Sequence, residues 1–330
     1  MAEIQVLITR PVEKEFVEQI TAVDSRIQLL DAAAFSAAED KGDFSDREKF
    51  DALLEQAEII CGYWPPISIM TRAPRLKWFH AMIAGVDRPD FAEMLRSPVV
   101  VSNSTGIHNT QVSELVLMLM LNLAKKAPFF FKQQQEKRWS PAIPGVLEGK
   151  TLGILGFGNI GRAVARLAKA FGMRVIATRR SITEATCEPD VDRLLPASSL
   201  PELLAESDFV VIALPATPAT GKLIGEAELR MMKPSAFIIN IARGKIINEG
   251  ALTRAIKENW IAGAGLDTVA VEPLPSWSEL WELPNVIITP HVGGRRTDYN
   301  RLAIPLFLEN LKRYLGGEPL LNLIDKAKGY

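Results

Sequence analysis

The sequence predicts an α/β protein built from two doubly wound parallel sheets, and three observations lead to that prediction. Short apolar runs alternate with helix-periodic segments along nearly the whole chain, the pattern of parallel strands joined by crossover helices. At 330 residues the chain is too long for one small core, so two domains are expected. A glycine-rich turn between an apolar strand and a helix lies almost halfway along rather than at the start.

Taken in order, strands are expected at 4–8, 27–30, 59–61, 76–82 and 99–101, with helices at 12–22 and 50–56 between them. A long helix over 110–126 places Val112, Leu115, Val116, Leu119 and Leu123 on one stripe and connects the two halves. Residues 128–149, rich in Gln, Lys, Phe and Pro, have no clean period. An arm that packs on a partner subunit and a plain surface loop suit them equally. The strand 151–155 leads into Gly156-Phe157-Gly158-Asn159-Ile160-Gly161. Ala163, Val164, Leu167, Ala168 and Phe171 then recur at helical spacing until Gly172. A strand at 174–178 completes one βαβ unit. The alternation resumes with strands at 209–214, 236–241, 263–266 and 286–288 and helices at 200–205, 226–232 and 249–259. The last helix, 299–314, is expected to return to the first half. The division is then 1–104 with 292–330, and an inserted 105–291.

Composition bounds the partners. The chain is 48% hydrophobic and 23% charged with a net charge of −1, and it has no long basic run. Nucleic acid and anionic membrane are therefore poor partners on electrostatic grounds. No stretch approaches the roughly 18 to 20 apolar residues of a membrane span. Met-Ala-Glu-Ile-Gln lacks the basic and apolar segments of a signal peptide, so a cytoplasmic location is expected. Cys61 and Cys187 suit idle thiols in a reducing compartment, and with three histidines no metal site is expected.

The glycine turn points to a dinucleotide. Gly156 permits the tight turn, Gly158 lets the backbone approach a pyrophosphate, and Gly161 lets helix and strand pack closely. Asn159 and Ile160 open the helix, whose first N–H groups and positive dipole end favour an anion. The next strand ends in Ala177-Thr178-Arg179-Arg180-Ser181, where NAD-binding folds usually place an acid for the ribose hydroxyls. Two guanidiniums and a serine hydroxyl can instead hold a 2′-phosphate through charge-assisted bonds, so NADP(H) is the preferred cofactor and NAD(H) a possible one.

Three further residues stand at expected strand ends or just beyond. Arg243, in Asn240-Ile241-Ala242-Arg243-Gly244, offers a planar fork suited to a carboxylate. His291, in Thr289-Pro290-His291-Val292-Gly293-Gly294, can protonate the oxyanion that emerges when a carbonyl takes up hydride. Glu272, in Val271-Glu272-Pro273-Leu274-Pro275, can fix the orientation of that ring and favour its charged form.

This ordered set resembles the D-isomer-specific 2-hydroxyacid dehydrogenase family, particularly its glyoxylate/hydroxypyruvate reductases. The motifs are the GFGNIG turn, Ala213-Leu214-Pro215 with Thr217 and Thr220, the Asn-Ile-Ala-Arg-Gly strand end, Gly265-Leu266-Asp267, Glu272-Pro273-Leu274-Pro275 and Thr289-Pro290-His291. The resemblance implies a Rossmann nucleotide domain inserted in a flavodoxin-like substrate domain, with a cleft between them, in a homodimer. It also implies that Arg243 binds the substrate carboxylate, that His291 is the acid/base supported by Glu272, and that Asp267 contacts the nicotinamide carboxamide. Leu214, Pro215, Thr220, Ile241, Ala242 and Gly293 would line the cofactor site. Ala84-Gly85-Val86-Asp87 matches the family's substrate loop, whose backbone N–H groups meet the carboxylate.

The expected activity is NADPH-preferring reduction of a 2-ketoacid to a D-2-hydroxyacid. NAD-linked oxidation and a nucleotide-sensing corepressor on the same fold are the alternatives. The chain departs from the family at Arg179-Arg180, and Tyr63-Trp64-Pro65-Pro66 is bulkier than a typical loop there. Those aromatics, with Trp139, suit either a pocket wall or ordinary packing. His80 is expected in the core, and His108 has no assigned role.

Overall fold

The computed structural model describes residues 3–86 and 89–326. It separates into one compact unit that runs up to Ile107 and resumes at Arg296, and a second over His108–Arg295.

The first unit has five strands: β1 (Ile4–Ile8), β2 (Ile27–Asp31), β3 (Ile59–Gly62), β4 (Trp78–Ala81) and β5 (Val100–Asn103). All pair in parallel, in the order β2-β1-β3-β4-β5. Side chains alternate between the faces, so Leu7, Ile60, Phe79 and Val101 enter one core, and Val6, Ile8, Ile59 and Trp78 enter another. The helix Tyr299–Gly316 closes the second of these cores with Ala303, Ile304, Phe307 and Leu311. Phe307 stacks on Trp78 at 5.5 Å, and the Trp78 indole donates to Ser102 Oγ at 2.9 Å. His80 is fully buried beside them, with Nδ1 at 2.8 Å from the same hydroxyl. Burial pushes its pKa down to about 3.

The second unit has eight strands: β6 (Thr151–Leu155), β7 (Arg174–Arg179), β8 (Thr186–Glu188), β9 (Val191–Pro196), β10 (Phe209–Ile212), β11 (Phe237–Asn240), β12 (Gly263–Leu266) and β13 (Val286–Ile288). Their order is β13-β12-β11-β10-β6-β7-β9-β8, and every pairing is parallel except β8 with β9. The near-continuous apolar runs of these strands follow from burial on both faces. Leu152, Ile154, Val175 and Val211 belong to one core, and Leu155, Ile176, Val210 and Ile212 to the other. Chain order reverses between β6 and β10, the switch point at which doubly wound sheets bind ligands outside the carboxyl ends of their strands.

Two departures from the sequence reading have physical causes. Within 128–149, part of the segment is a helix, Ala127–Gln135, started by Pro128. None of its residues is buried, so it has no apolar stripe for a periodicity to detect. The hairpin of β8 and β9 has no counterpart among the expected strands, because Thr186-Cys187-Glu188 is short and polar. Its signal was the Pro189-Asp190 turn, where Asp190 has φ +66°. Among the described residues no helix is long and apolar enough to cross a membrane. None of them forms a group of three or more His, Cys, Asp or Glu suited to a metal ion.

Candidate active site

The glycine turn follows β6, and each glycine has a distinct surrounding. Gly156 has φ +98°, and a Cβ there would lie 2.8 Å from the Ala213 carbonyl oxygen. At Gly161 a Cβ would fall 2.4 Å from the Gly156 oxygen, so helix and turn approach as only glycine allows. At Gly158 a Cβ would meet nothing within 4 Å. That exposed residue caps the helix Asn159–Ala170, whose first N–H groups have no acceptor within the helix. This bare backbone at a helix N-terminus suits a pyrophosphate.

Beyond β10, the Thr220 hydroxyl donates to the Pro215 carbonyl at 2.8 Å and accepts from the Thr217 N–H at 2.7 Å, fixing the Leu214-Pro215 turn. At the end of β7, Arg179 Nη1 pairs with Glu188 Oε1 at 2.9 Å, and its Nε donates to Ser181 Oγ at 3.0 Å. Arg180 and Ser181 are exposed.

The next three strand ends hold the candidate chemistry. After β11, the buried Asn240 side chain donates to the Arg243 carbonyl at 3.0 Å and accepts from the Ala242 N–H at 3.1 Å. This pins the turn that presents Arg243. Ile241 is buried behind it, and an Arg243 Nη1 bond of 2.8 Å to the Ala242 carbonyl sets the root of the guanidinium. Gly244 lies so close to the next loop that a Cβ would come within 2.0 Å of the Val269 carbonyl. The Arg-Gly order therefore docks the Arg243 turn against the loop that holds Glu272.

Glu272 accepts from the Val269 N–H at 3.3 Å with Oε1 and from His291 Nδ1 at 2.7 Å with Oε2. Holding Nδ1–H in this way leaves Nε2 of the ring for a reactant. Both side chains are exposed, so the pair is open to small molecules. His291 sits in the left-handed region at φ +52°, an uncommon conformation held from below by Asp267. The buried Asp267 carboxylate accepts from the Thr289 hydroxyl at 2.6 Å and from the Val292 and Gly293 N–H groups at 2.9 Å. The His291 N–H donates to the Asp267 carbonyl at 2.9 Å. Gln111 adds a bond of 3.1 Å to the Gly294 carbonyl, and the same amide lies 3.1 Å from His108 Nδ1. His108 and Gln111 thus support the histidine turn, a role that spacing along the chain could not show.

The remaining expected site residues lie in the five-stranded unit. Ala84, Gly85 and Val86 follow β4, and the Asn103 side chain holds the Ala84 carbonyl at 2.6 Å. Asp87 lies outside the described residues. Tyr63 and Trp64, just beyond β3, carry the Arg10 guanidinium at 4.8 and 5.2 Å from their ring centres. Arg10 also pairs with Asp40 at 2.6 Å. Trp139 is fully exposed.

Comparison with known proteins identifies the family. Residues 117–293 match the family model "D-isomer specific 2-hydroxyacid dehydrogenase, NAD binding domain". A glyoxylate reductase of Thermococcus gammatolerans is 39% identical over 269 residues, 78% of this chain and 79% of that protein. The glyoxylate reductase of Pyrococcus furiosus is 37% identical over 269 residues, 78% of each chain. Among solved structures, a D-isomer specific 2-hydroxyacid dehydrogenase from Xanthobacter autotrophicus, in complex with NADPH and MES, superposes with a TM-score of 0.81 at 30% identity and covers 100% of both chains. A family member from Aeromonas salmonicida gives 0.82 at 30% identity, covering 98% of this chain and 100% of its own. The matched segment contains the glycine turn, Arg243, Glu272 and His291, and the likeness extends over both sheets, so the chain belongs to the D-isomer specific 2-hydroxyacid dehydrogenase family of NAD(P)-dependent enzymes.

Proposed function

We propose that this enzyme reduces a 2-ketoacid to the D-2-hydroxyacid and prefers NADPH to NADH. The observation that carries the reading is the bonded His291–Glu272 pair two strands from Arg243 on one sheet edge. The open backbone at Gly158 and the helix end behind it fit the pyrophosphate of a dinucleotide. Gly156 to Gly161, Leu214, Pro215, Thr220, Ile241, Ala242, Asp267 and Gly293 would hold the cofactor, with Arg179, Arg180 and Ser181 at its adenosine end. When bound, the reduced nicotinamide supplies the hydride for the carbonyl carbon.

The protein's own groups do the rest. Arg243 clamps the substrate carboxylate with its planar fork and polarises the neighbouring carbonyl. The family resemblance implies that backbone N–H groups of Ala84, Gly85 and Val86, which follow β4, are donors to a carboxylate. His291 Nε2 donates the proton that the carbonyl oxygen needs, while Glu272 holds Nδ1–H and stabilises the ring in that orientation. Asp267 acts as a positioning residue by holding the 289–293 turn, in addition to any contact with the cofactor.

Glyoxylate is the first substrate to test, because the relatives named above are glyoxylate reductases. The NADPH of the Xanthobacter structure supports the cofactor preference. The pairing of Arg179 with Glu188 keeps NADH usable. Exposed Phe131, Trp139 and Ile143 support a homodimer built through this segment.

The decisive experiment follows the near-ultraviolet absorbance of NADPH and NADH with glyoxylate, hydroxypyruvate, pyruvate and phenylpyruvate. Turnover with at least one acid, faster with NADPH, is expected. Binding without turnover of any of them would defeat the catalytic reading.

A further inference from the structure

The β8–β9 hairpin brings an acid to a place where the local sequence has none. Glu188, on β8, lies between two arginines from different elements. Its Oε2 is 2.5 Å from Arg162 Nη2, and its Oε1 is 2.9 Å from Arg179 Nη1. Arg162 directly follows Gly161 in the first turn of the helix Asn159–Ala170, and its guanidinium lies over the ring of Phe157, inside the glycine turn, at 4.6 Å. Arg179 ends β7 beside Ser181. One carboxylate therefore divides its two oxygens between the guanidinium next to the pyrophosphate turn and the one at the ribose-facing strand end. Arg162 and, after it, Arg179 hold that carboxyl below the usual carboxylate range, so it is ionised at neutral pH.

We propose that Glu188 is a specificity-determining residue: it acts as an internal anion that occupies Arg162 and Arg179 and competes with the 2′-phosphate of NADP(H) for them. The inference rests on the cofactor reading above. A 2′-phosphate carries about −1.5 to −2 charges near neutral pH, so it both displaces and repels a carboxylate in this position. A cofactor that ends in ribose hydroxyls leaves the Arg–Glu–Arg array intact and has a carboxylate near at hand to accept from them. Glu188 thereby holds the preference for the phosphorylated cofactor below what the arginines alone would produce. It restores from a hairpin the acid that is missing from the end of β7.

Glu188→Gln tests this without turnover. Adenosine 2′,5′-bisphosphate and adenosine 5′-monophosphate are titrated calorimetrically into the full-length protein and into the variant. The variant should bind the bisphosphate roughly tenfold more tightly, with the monophosphate unchanged or weaker. If wild type favours the bisphosphate and the variant keeps the same ratio, this inference falls while the NADPH reading stands. If wild type shows no preference and the variant acquires one, the inference stands and the NADPH preference fails. No preference in either protein overturns both.

Should a thermal melt show that Glu188→Gln does not fold, Arg162→Gln decides. That change leaves the full charge of Glu188 on Arg179, and the bisphosphate should bind roughly fivefold less tightly or worse than to wild type. Unchanged affinity there would overturn the proposal.

Discussion

Gly293→Ala probes how His291, the proposed proton donor, is held. The added Cβ would stand 2.8 Å from Asp267 Oδ2 and 3.2 Å from Leu115 Cδ2. Non-bonded carbon atoms settle at roughly 3.5–4.0 Å, so something must give. The carboxylate cannot swing aside freely, because it is 3% exposed and holds three donors on the 289–293 turn. Either the Gly293 N–H leaves Oδ2, or the turn lifts. Loss of a buried bond to a charged acceptor costs about 2 kcal/mol. For a unit of this size that lowers the melting temperature by roughly 4–8 °C. His291 is two residues away and moves with the turn, and a displacement on the order of 1 Å lowers kcat/KM by about 100-fold. Thermal melting by circular dichroism and steady-state ketoacid reduction measure the two effects. Gly294→Ala is the control, because its Cβ meets the His108 ring at an ordinary 3.5 Å. Wild-type melting and kcat/KM in Gly293→Ala, or equal damage in the control, would refute this account of the turn.

Other substitutions separate the remaining roles. Glu272→Gln keeps the shape but removes the charge, and should lower kcat for reduction about 10- to 100-fold with cofactor affinity unchanged; an unaltered kcat removes Glu272 from the mechanism. Arg243→Lys retains a charge without the fork, so KM for the ketoacid should rise roughly tenfold or more while NADPH binds as before. Replacing Arg179 and Arg180 together with Ala should weaken NADPH about tenfold more than NADH, and an equal loss would count against phosphate recognition. His80 supplies a pH signature. It is neutral in the fold, with a pKa pushed down to about 3, and the unfolded chain takes up its proton near 6.5. The unfolded state thus binds more protons in that window, and stability falls on acidification. Between about pH 7 and about pH 5 the loss is about 2 kcal/mol, read from urea midpoints. In His80→Gln that part of the loss should vanish.

What could be read from sequence follows from how local each signal is. The glycine turn has fixed spacing within six residues, and both its flanking strand and its helix announce themselves by period. Arg243 and His291 stand within three residues of apolar strands, so placing the strands placed them too. Glu272 was legible as a partner for His291 from its chemistry and from the family motif, but the bond itself depends on the register of β12 against β13, which no local pattern encodes. The same holds for Gln111 reaching Gly294 across 183 positions, and for Glu188 meeting Arg162. Asp267 was visible as part of a motif, but its grip on the turn emerges only when two strand ends lie side by side.

The contact of Gly244 with Val269 and Ala270 bears on how such an enzyme can be altered. The spacing between the arginine's turn and the glutamate's loop is set by main chain resting on main chain, a dimension that no exchange of side chains can retune. Insertions at Gly244 or between Val269 and Glu272 would move the turn of Arg243 away from the loop of Glu272. The stretch beyond, where Trp277 and Trp281 stand exposed, lies outside that brace. Loop libraries for new acids should therefore leave 244 and 269–272 untouched and begin after Pro273.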